Sequence, residues 1–241
     1  MAGGPEEKNK TRGGVLKMKI LNTEKEDYHV HSFNYSDGIS TVNEMVRFAG
    51  ELGMKKLVFA DHSQAALQRA GYPRKAGRTI IRRWRNVFND VEVVFGVEAD
   101  LLNEEGDICE HIQGVKGDFI ILSYHEEVYS GDKQKLTQAF INAIRRYHED
   151  IDCIGHIYTF IENTNTDVNK IIGNANKHNI PFELNCRYID TGRHRADMSI
   201  LKLMLSKAKS IYVNSDAHTL YELKVLRKKG FEYLKANGFL D

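Results

Sequence analysis

The feature that most constrains this chain is an alternation of two periodicities. Seven short apolar runs, YHVH, KLVFA, VEVVFGVEA, DFIILSY, IDCIGHI, PFELN and SIYVNS, are separated by longer segments, most of them with helical spacing. Strands that alternate with helices imply a parallel sheet with helices outside, since parallel neighbours need a crossover connection. Seven such units suit a closed or nearly closed barrel better than an open sheet, with an open doubly wound sheet as the alternative. The expected fold class is therefore α/β, a single-domain barrel. At 241 residues the chain can bury one sizeable core, and no linker or repeat divides it. Residues 1–25, opening with the Gly-, Glu- and Lys-rich MAGGPEEKNKTRGG, are expected to form a flexible tail, and residues 26–241 the domain.

Between the first two strands the helix is well signalled. Thr41 and Glu44 have capping-box spacing, Val42, Met45, Val46, Ala49 and Leu52 share a face, and Gly53 ends it. Further helices are expected at 132–149, 163–178, 196–208 and 219–236, and another around 78–89.

In barrels of this kind the working groups sit at the C-terminal ends of the strands. His29 and His31 end the first strand and Asp37 follows; the second ends in Asp61-His62, the third at Glu98, the fourth at His125, the fifth at His156, and the seventh at Asp216 and His218. His-x-His on a strand puts two imidazoles on one face, so both can reach one ion, and Asp216-x-His218 repeats the device. A lone histidine is usually a surface or packed residue, and His111, His148, His178 and His194, in helix or loop segments, are read so. Six of the ten histidines at the same end of the expected strands, with Asp37, Glu98 and Asp216 among them, point instead to a metal centre.

The segments HVHSFNYSDG, ADHS, GVEADLL, SYH, GHI, FELN and NSDAH, in this order, resemble the polymerase and histidinol phosphatase (PHP) superfamily. In detail the pattern is similar to the PHP domain attached to bacterial family X DNA polymerases and to stand-alone phosphatases of that type. The resemblance implies a distorted seven-unit (β/α)7 TIM-like barrel with two or three divalent transition-metal ions (Zn, Mn or Fe) that hydrolyses phosphoesters. It places His29, His31, Glu98 and Asp216 around a first ion, lets Glu98 bridge to a second held by His125 and His156, and gives a third to Asp37, His62 and His218. Glu98, Asp216 and His218 are the expected catalytic residues. Two positions depart from the pattern: Asp37 stands where many relatives have histidine, and Gly155-His156-Ile157 where many have Gly-His-Pro.

Independently of the resemblance, mixed imidazole and carboxylate donors suit these metals, and water held between two such ions ionises near neutral pH. No GxSxG elbow or GxxxxGK[ST] phosphate loop competes with this reading. Asp61 and Asn185 are candidates for orienting ligands, Asp61 equally for a plain turn or cap. Arg187, Arg193 and Arg195, after the sixth strand, are candidate substrate-binding residues, since a guanidinium can hold phosphate through two hydrogen bonds. Segment 69–85 carries seven basic residues with Tyr72 and Trp84 between them; it either lines the substrate entrance or is a solvated face with Trp84 in the core.

With 34 basic and 33 acidic residues the chain has no general attraction for nucleic acid or membranes, which favours a small phosphorylated substrate, with nucleic-acid ends or histidinol phosphate as alternatives and a non-catalytic binding module as a lesser one. No apolar run nears the roughly 20 residues of a membrane span, and the start lacks a signal-peptide core, so a cytoplasmic protein is expected. Cys109, Cys153 and Cys186, odd in number and without CxxC spacing, are read as free thiols.

Overall fold

A computed structural model describes residues 18–72, 78–159, 161, 164–189 and 196–240. The strands are β1 (Lys19–Ile20), β2 (Glu26–Val30), β3 (Lys56–His62), β4 (Glu92–Leu101), β5 (Ile108–Cys109), β6 (His111–Ile112), β7 (Val115–Lys116), β8 (Ile120–Ser123), β9 (Cys153–Ile154), β10 (Phe182–Asn185) and β11 (Ser210–Asn214). The helices are α1 (Val42–Glu51), α2 (Gln64–Arg69), α3 (Leu136–Tyr147), α4 (Val168–Lys177), α5 (Met198–Lys207) and α6 (Leu220–Ala236). Eight strands run parallel in one curled sheet, β1-β11-β10-β9-β8-β4-β3-β2, with β5 antiparallel on β4. This is a distorted TIM-like barrel in a single α/β domain, and its seven expected strands are β2, β3, β4, β8, β9, β10 and β11.

The seam lies between β2 and β11. At the C-terminal end of the strands, Val30 bridges Ala217, the Asp216 amide donates to the His29 carbonyl at 2.9 Å, and the His31 amide donates to the Ala217 carbonyl at 2.9 Å. At the other end β1 takes the edge of β11, pairing Lys19 with Ser210 and Ile20 with Ile211. The structured part therefore begins before Glu26: the expected tail boundary at residue 25 is too late, because an open edge of β11 offers backbone partners that Lys19–Ile20 satisfy.

Period-two alternation then sorts the side chains. On β3, Leu57 and Phe59 pack outward with α1, whereas Val58 and Ala60 face the barrel interior and lead to His62. The lower interior is filled by Tyr28, Phe119 and Tyr212, whose ring centroids lie 4.6–5.6 Å apart. A register shift in β2 between Asp27 and Val30 changes the alternation within this strand just below the site.

α1 has the expected box, with the Thr41 hydroxyl and the Glu44 carboxylate each accepting the other's backbone N–H, and Gly53 follows at φ 69°. The helix expected around 78–89 is instead a single 3-10 turn over 78–82. Asn86 and Asn89 explain the stop: Asn86 Oδ1 accepts from the Phe88 amide and Asn89 Oδ1 from the Val91 amide, and Asn89 Nδ2 donates to the Val46 carbonyl, in place of helical bonds. Trp84 donates from Nε1 to Asn43 and stands edge-on to Phe95 at 5.7 Å, so it belongs to the packing of α1 and β4. Among the described residues no helix is long and apolar enough to cross a membrane.

Candidate metal centre

The interior parity that carries Val58 and Ala60 into the barrel also brings the strand-end donors together. His29 and His31 arrive from β2, His62 from β3, Glu98 from β4, His125 after β8, His156 after β9, and Asp216 and His218 after β11, with Asp37 on the loop after β2. Neighbouring histidine rings in the cluster lie 4.2–6.4 Å apart. Seven of these nine, all but His29 and His31, line a cavity of ≈ 280 Å³, along with Glu126, Glu127, Arg187 and Tyr188. Two backbone devices permit the convergence. Asp216 sits at φ 56°, a left-handed conformation that aspartate tolerates better than most residues, and a side chain at Gly38 would meet the His31 carbonyl.

Hydrogen bonds fix which nitrogen each imidazole presents. His29 Nδ1 is 2.7 Å from Glu183 Oε1 and His125 Nδ1 is 2.7 Å from Asp100 Oδ1, so each donates there and turns Nε2 inward. Thr159 Oγ1 gives its own proton to the His156 carbonyl and therefore accepts from His156 Nδ1 at 3.1 Å. Likewise Ser36 Oγ donates to Asp61 Oδ1 and accepts from His31 Nδ1 at 3.3 Å. His218 Nδ1 lies between the Asp216 carbonyl at 2.9 Å and Arg187 Nη1 at 2.8 Å; donating to the carbonyl leaves Nε2, which faces Asp37, with its lone pair, whereas accepting from Arg187 puts the ring proton on Nε2. Four imidazoles thus have Nδ1 donating and Nε2 aimed inward, and His218 makes a fifth in the tautomer that bonds the Asp216 carbonyl, the arrangement of metal-ligating histidine.

The donor set fits divalent ions on a second ground. His29 Nε2 and His31 Nε2 face each other at 3.1 Å, and with both Nδ1 atoms donating elsewhere two neutral rings have no proton to share there. Asp37 Oδ1, His62 Nδ1 and Asp216 Oδ1 are buried without a hydrogen-bond partner, although His62 Nδ1 is 2.9 Å from Glu98 Oε2 and Asp216 Oδ1 is 3.1 Å from His31 Nε2. Three sets of donor atoms lie close enough together to share an ion: His31, Asp37, His62 and His218; His29, His31 and Glu98; and His62, Glu98 and His125. His156 Nε2 joins at 2.8 Å from Glu98 Oε1. Glu98 therefore stands between two of the sets, and His31 and His62 are shared more widely than the resemblance implies.

With no ion bound, electrostatics divides these groups, keeping the carboxylate charged and His31 neutral while favouring the protonated form of His29. Burial works against a charged Glu98, but His125, His29 and His62 outweigh it and hold the carboxyl well below its usual range. Burial, reinforced by His218 and His62, lowers His31 to about 3, leaving it neutral. For His29 burial favours the neutral ring, yet Glu183, Glu98 and Asp216 prevail and raise it well above its ordinary value.

Several supporting residues escaped the sequence reading. Asp100 follows Glu98 by two positions on the same face of β4, and Glu183 is an acid inside the otherwise apolar FELN; both were visible signals. Thr159 and Tyr188 carried none. Asp61 accepts from the Ser32 amide, the Ser32 hydroxyl and the Ser36 hydroxyl, so it orders the loop that holds His31. Asn185 Nδ2 donates to Asp216 Oδ2 at 3.1 Å and to Glu183 Oε2 at 3.2 Å. Arg187 lies in the cavity, whereas Arg193 and Arg195 lie outside the described residues, as do Arg74 and Lys75. His148 and His178 face each other, ring centroids 4.4 Å apart, on the C-terminal ends of α3 and α4, separate from the nine donors.

A curled parallel barrel with imidazole and carboxylate groups gathered at the C-terminal strand ends defines a class of barrel able to hold metal ions. The family comparison makes it specific: the PHP domain family matches residues 27–185, and the chain belongs to that family. A protein of Caldanaerobacter subterraneus subsp. tengcongensis named a probable phosphatase is 30% identical over 228 residues, covering 87% of this chain and 81% of its own. One of Vibrio atlanticus with the same designation is 26% identical over 200 residues, 80% of this chain and 78% of its own. The crystal structure of a candidate histidinol phosphatase from Listeria monocytogenes superposes with a TM-score of 0.54 at 16% identity, covering 85% of this chain and 99% of that one, and supports the fold.

Proposed function

We propose that this chain, a phosphoester hydrolase of the PHP family, works as a metal-dependent phosphomonoesterase on a small phosphorylated substrate. The observation that carries the reading is the set of imidazoles whose Nδ1 atoms are engaged by Glu183, Asp100, Thr159, Ser36 and the Asp216 carbonyl, which turns their Nε2 atoms toward Glu98, Asp37 and Asp216, three carboxylates that line the cavity. Relatives named probable phosphatases support it.

In this reading His29, His31, Glu98 and Asp216 would hold one ion, Glu98 with His125 and His156 a second, and Asp37, His62 and His218 a third. Zinc, manganese and iron all suit these donors. Such ions supply Lewis acidity toward phosphoryl oxygens and make water acidic enough to serve as a nucleophile near neutral pH. The protein's own groups do the positioning. Arg187, fixed by Asn185 Oδ1 accepting from its amide at 3.2 Å, offers its guanidinium to phosphoryl oxygens from the wall that carries His218. Glu183 and Asp100 keep His29 and His125 in the tautomer with Nε2 free. His218 closes the cavity wall beside Arg187 and Asp37.

The test is a hydrolysis screen of phosphomonoesters, histidinol phosphate and short oligonucleotides on protein reconstituted separately with zinc, manganese and iron, against a chelated control. Monoester turnover that requires metal is the expected result. Efficient, steeply salt-dependent cleavage of the oligonucleotide with little monoester turnover overturns it in favour of a nuclease.

A further inference from the structure

The metal cavity does not stand alone. A second chamber of ≈ 470 Å³ adjoins it and shares the walls formed by Asp37, His62, His125 and Glu127. Beyond them its lining changes character, to Ala66, Leu67, Ala70, Tyr72 and Val128 with Arg69. Arg187, Asp216 and His156 border only the first chamber, and the α2 residues only the second. The two spaces therefore differ as the two halves of a phosphomonoester differ, one suited to a dianion and the other to an organic group.

The second chamber is also tied to the metal donors. Ser63 caps α2 by accepting from the Ala65 and Ala66 amides, and its hydroxyl donates to Asp100 Oδ2, while Asp100 Oδ1 fixes His125. The wall carrying Ala66 and Leu67 is thereby referenced to a ligand of the centre. Across the chamber, Arg69 Nε donates to the Glu127 carbonyl at 2.9 Å and holds the loop bearing Val128 against α2. Tyr72 continues from α2, its amide donating to the Leu67 carbonyl at 3.0 Å, and the residue, 40% exposed, lines the chamber. An exposed ring beside small aliphatic residues is a surface for a flat or apolar group.

Resting on the phosphomonoesterase reading of the metal cavity, we propose that the chamber between α2, Tyr72 and Val128 is the site for the alcohol half of the substrate, and that it selects a phosphate ester of an apolar or aromatic alcohol. Phosphate held between the metal donors and Arg187 directs its ester oxygen past Asp37, His62 and His125, and the substituent enters the second chamber. Small side chains at Ala66 and Ala70 leave the room that an aromatic ring fills.

The test separates binding from turnover. Titration calorimetry on metal-loaded protein compares 2-phenylethylphosphonate with ethylphosphonate, non-hydrolysable probes that differ only by a ring. Wild type is expected to bind the phenylethyl compound about tenfold more tightly, the return for burying a ring in an apolar site. Ala66→Trp and Ala70→Trp, which fill the chamber, are expected to bring the ratio of dissociation constants below about threefold. The ratio is internal to each protein, so a partly unfolded variant still reports it, and Ala70→Leu serves if a tryptophan variant fails to fold. Equal affinities in wild type, or an undiminished ratio in the filled variants, overturns the inference. Turnover of 2-phenylethyl phosphate and ethyl phosphate, alcohols of nearly equal leaving ability, is measured in parallel. Preferential phosphonate binding without hydrolysis of either ester sinks the phosphatase reading and leaves the chamber standing; equal hydrolysis with equal binding does the reverse. Binding of neither phosphonate overturns both.

Discussion

Two buried clusters of charge start only two residues apart on β2, and they are built on opposite terms. Asp27 is fully buried, its carboxylate 3.0 Å from Arg227 Nε, and it accepts from the amide and hydroxyl of Ser215. Arg227 in turn donates to the Glu24 and Glu26 carbonyls. Burial tends to raise Asp27, and Arg227 with the Ser215 bonds opposes it. The chain supplies its own counter-charge there. At His29 and His31 the balance is different: ring nitrogens face each other at 3.1 Å and buried carboxylate oxygens of Asp37 and Asp216 lack hydrogen bonds. A fold tolerates such an arrangement where something other than its own side chains completes it. The first cluster secures α6 and β11 to β2; the second gathers donor groups able to hold a metal ion.

The contrast can be broken most severely at Glu98. Glu98→Gln keeps the shape but removes the charge that faces His29, His62, His125 and His156, and should reduce kcat/KM by at least about 100-fold while the protein stays folded. Near wild-type turnover in the metal-loaded variant, with its circular dichroism unchanged, would show that the centre is not organised around this carboxylate.

Asp27→Asn attacks the other cluster. Leaving Arg227 buried without its partner should cost about 3 kcal/mol in urea unfolding. Because this cluster is not the ligand site, the rise in Tm on adding metal should survive in Asp27→Asn and vanish in Glu98→Gln. If Asp27→Asn also loses the metal-dependent increment, the two clusters are one energetic unit and the comparison fails.

Glu183 lies between the two, bonded to His29, Asn185 and Asn214. Glu183→Gln should weaken metal affinity by roughly 10-fold to 100-fold, as expected for a group that orients a ligand without being one. A competition titration with a chromogenic chelator measures it, and unchanged affinity would reduce Glu183 to packing.

The smallest effect serves as a reference far from both clusters. Asp197 caps α5 by accepting from the Ser199 and Ile200 amides, and its pKa is lowered chiefly by the Ser199 side chain, against the opposing effect of burial. Asp197→Ala should cost about 1 kcal/mol. Since the folded-state value is depressed, the contribution is present above the ordinary aspartate range and fades as pH falls through the depressed value. A stability difference from wild type that stays constant from pH 7 down to pH 2 would contradict this.

How much of this was legible beforehand depended on whether the signal was local. Seven apolar runs became seven strands because alternating side chains leave a period-two record in the chain itself. The strand-end candidates that gather at the cavity were likewise nameable, since the end of a strand can be read from its sequence and parallel strands place those ends together. Arg187 could be named for the same reason. The helix expected around 78–89 failed because Asn86 and Asn89 draw backbone bonds to themselves, and the tail boundary failed because β1 exists only as a partner for the edge of β11.

Other features had no local record at all. Which imidazole nitrogen turns inward was decided by Glu183 and Asp100, on strands remote in sequence from His29 and His125, and by Thr159 and Ser36, brought onto His156 and His31 by the paths of their loops. The sharing of His31 and His62 between donor sets, and the meeting of α2 with the Val128 loop beside the centre, arose only when the sheet curled. The sequence by itself determined the kinds of donor and the end of the barrel they occupy, because both follow from short-range periodicity. Tertiary structure alone decided their tautomers, their grouping and the chamber beside them, because those depend on distances between strands and loops that the chain's order does not encode locally.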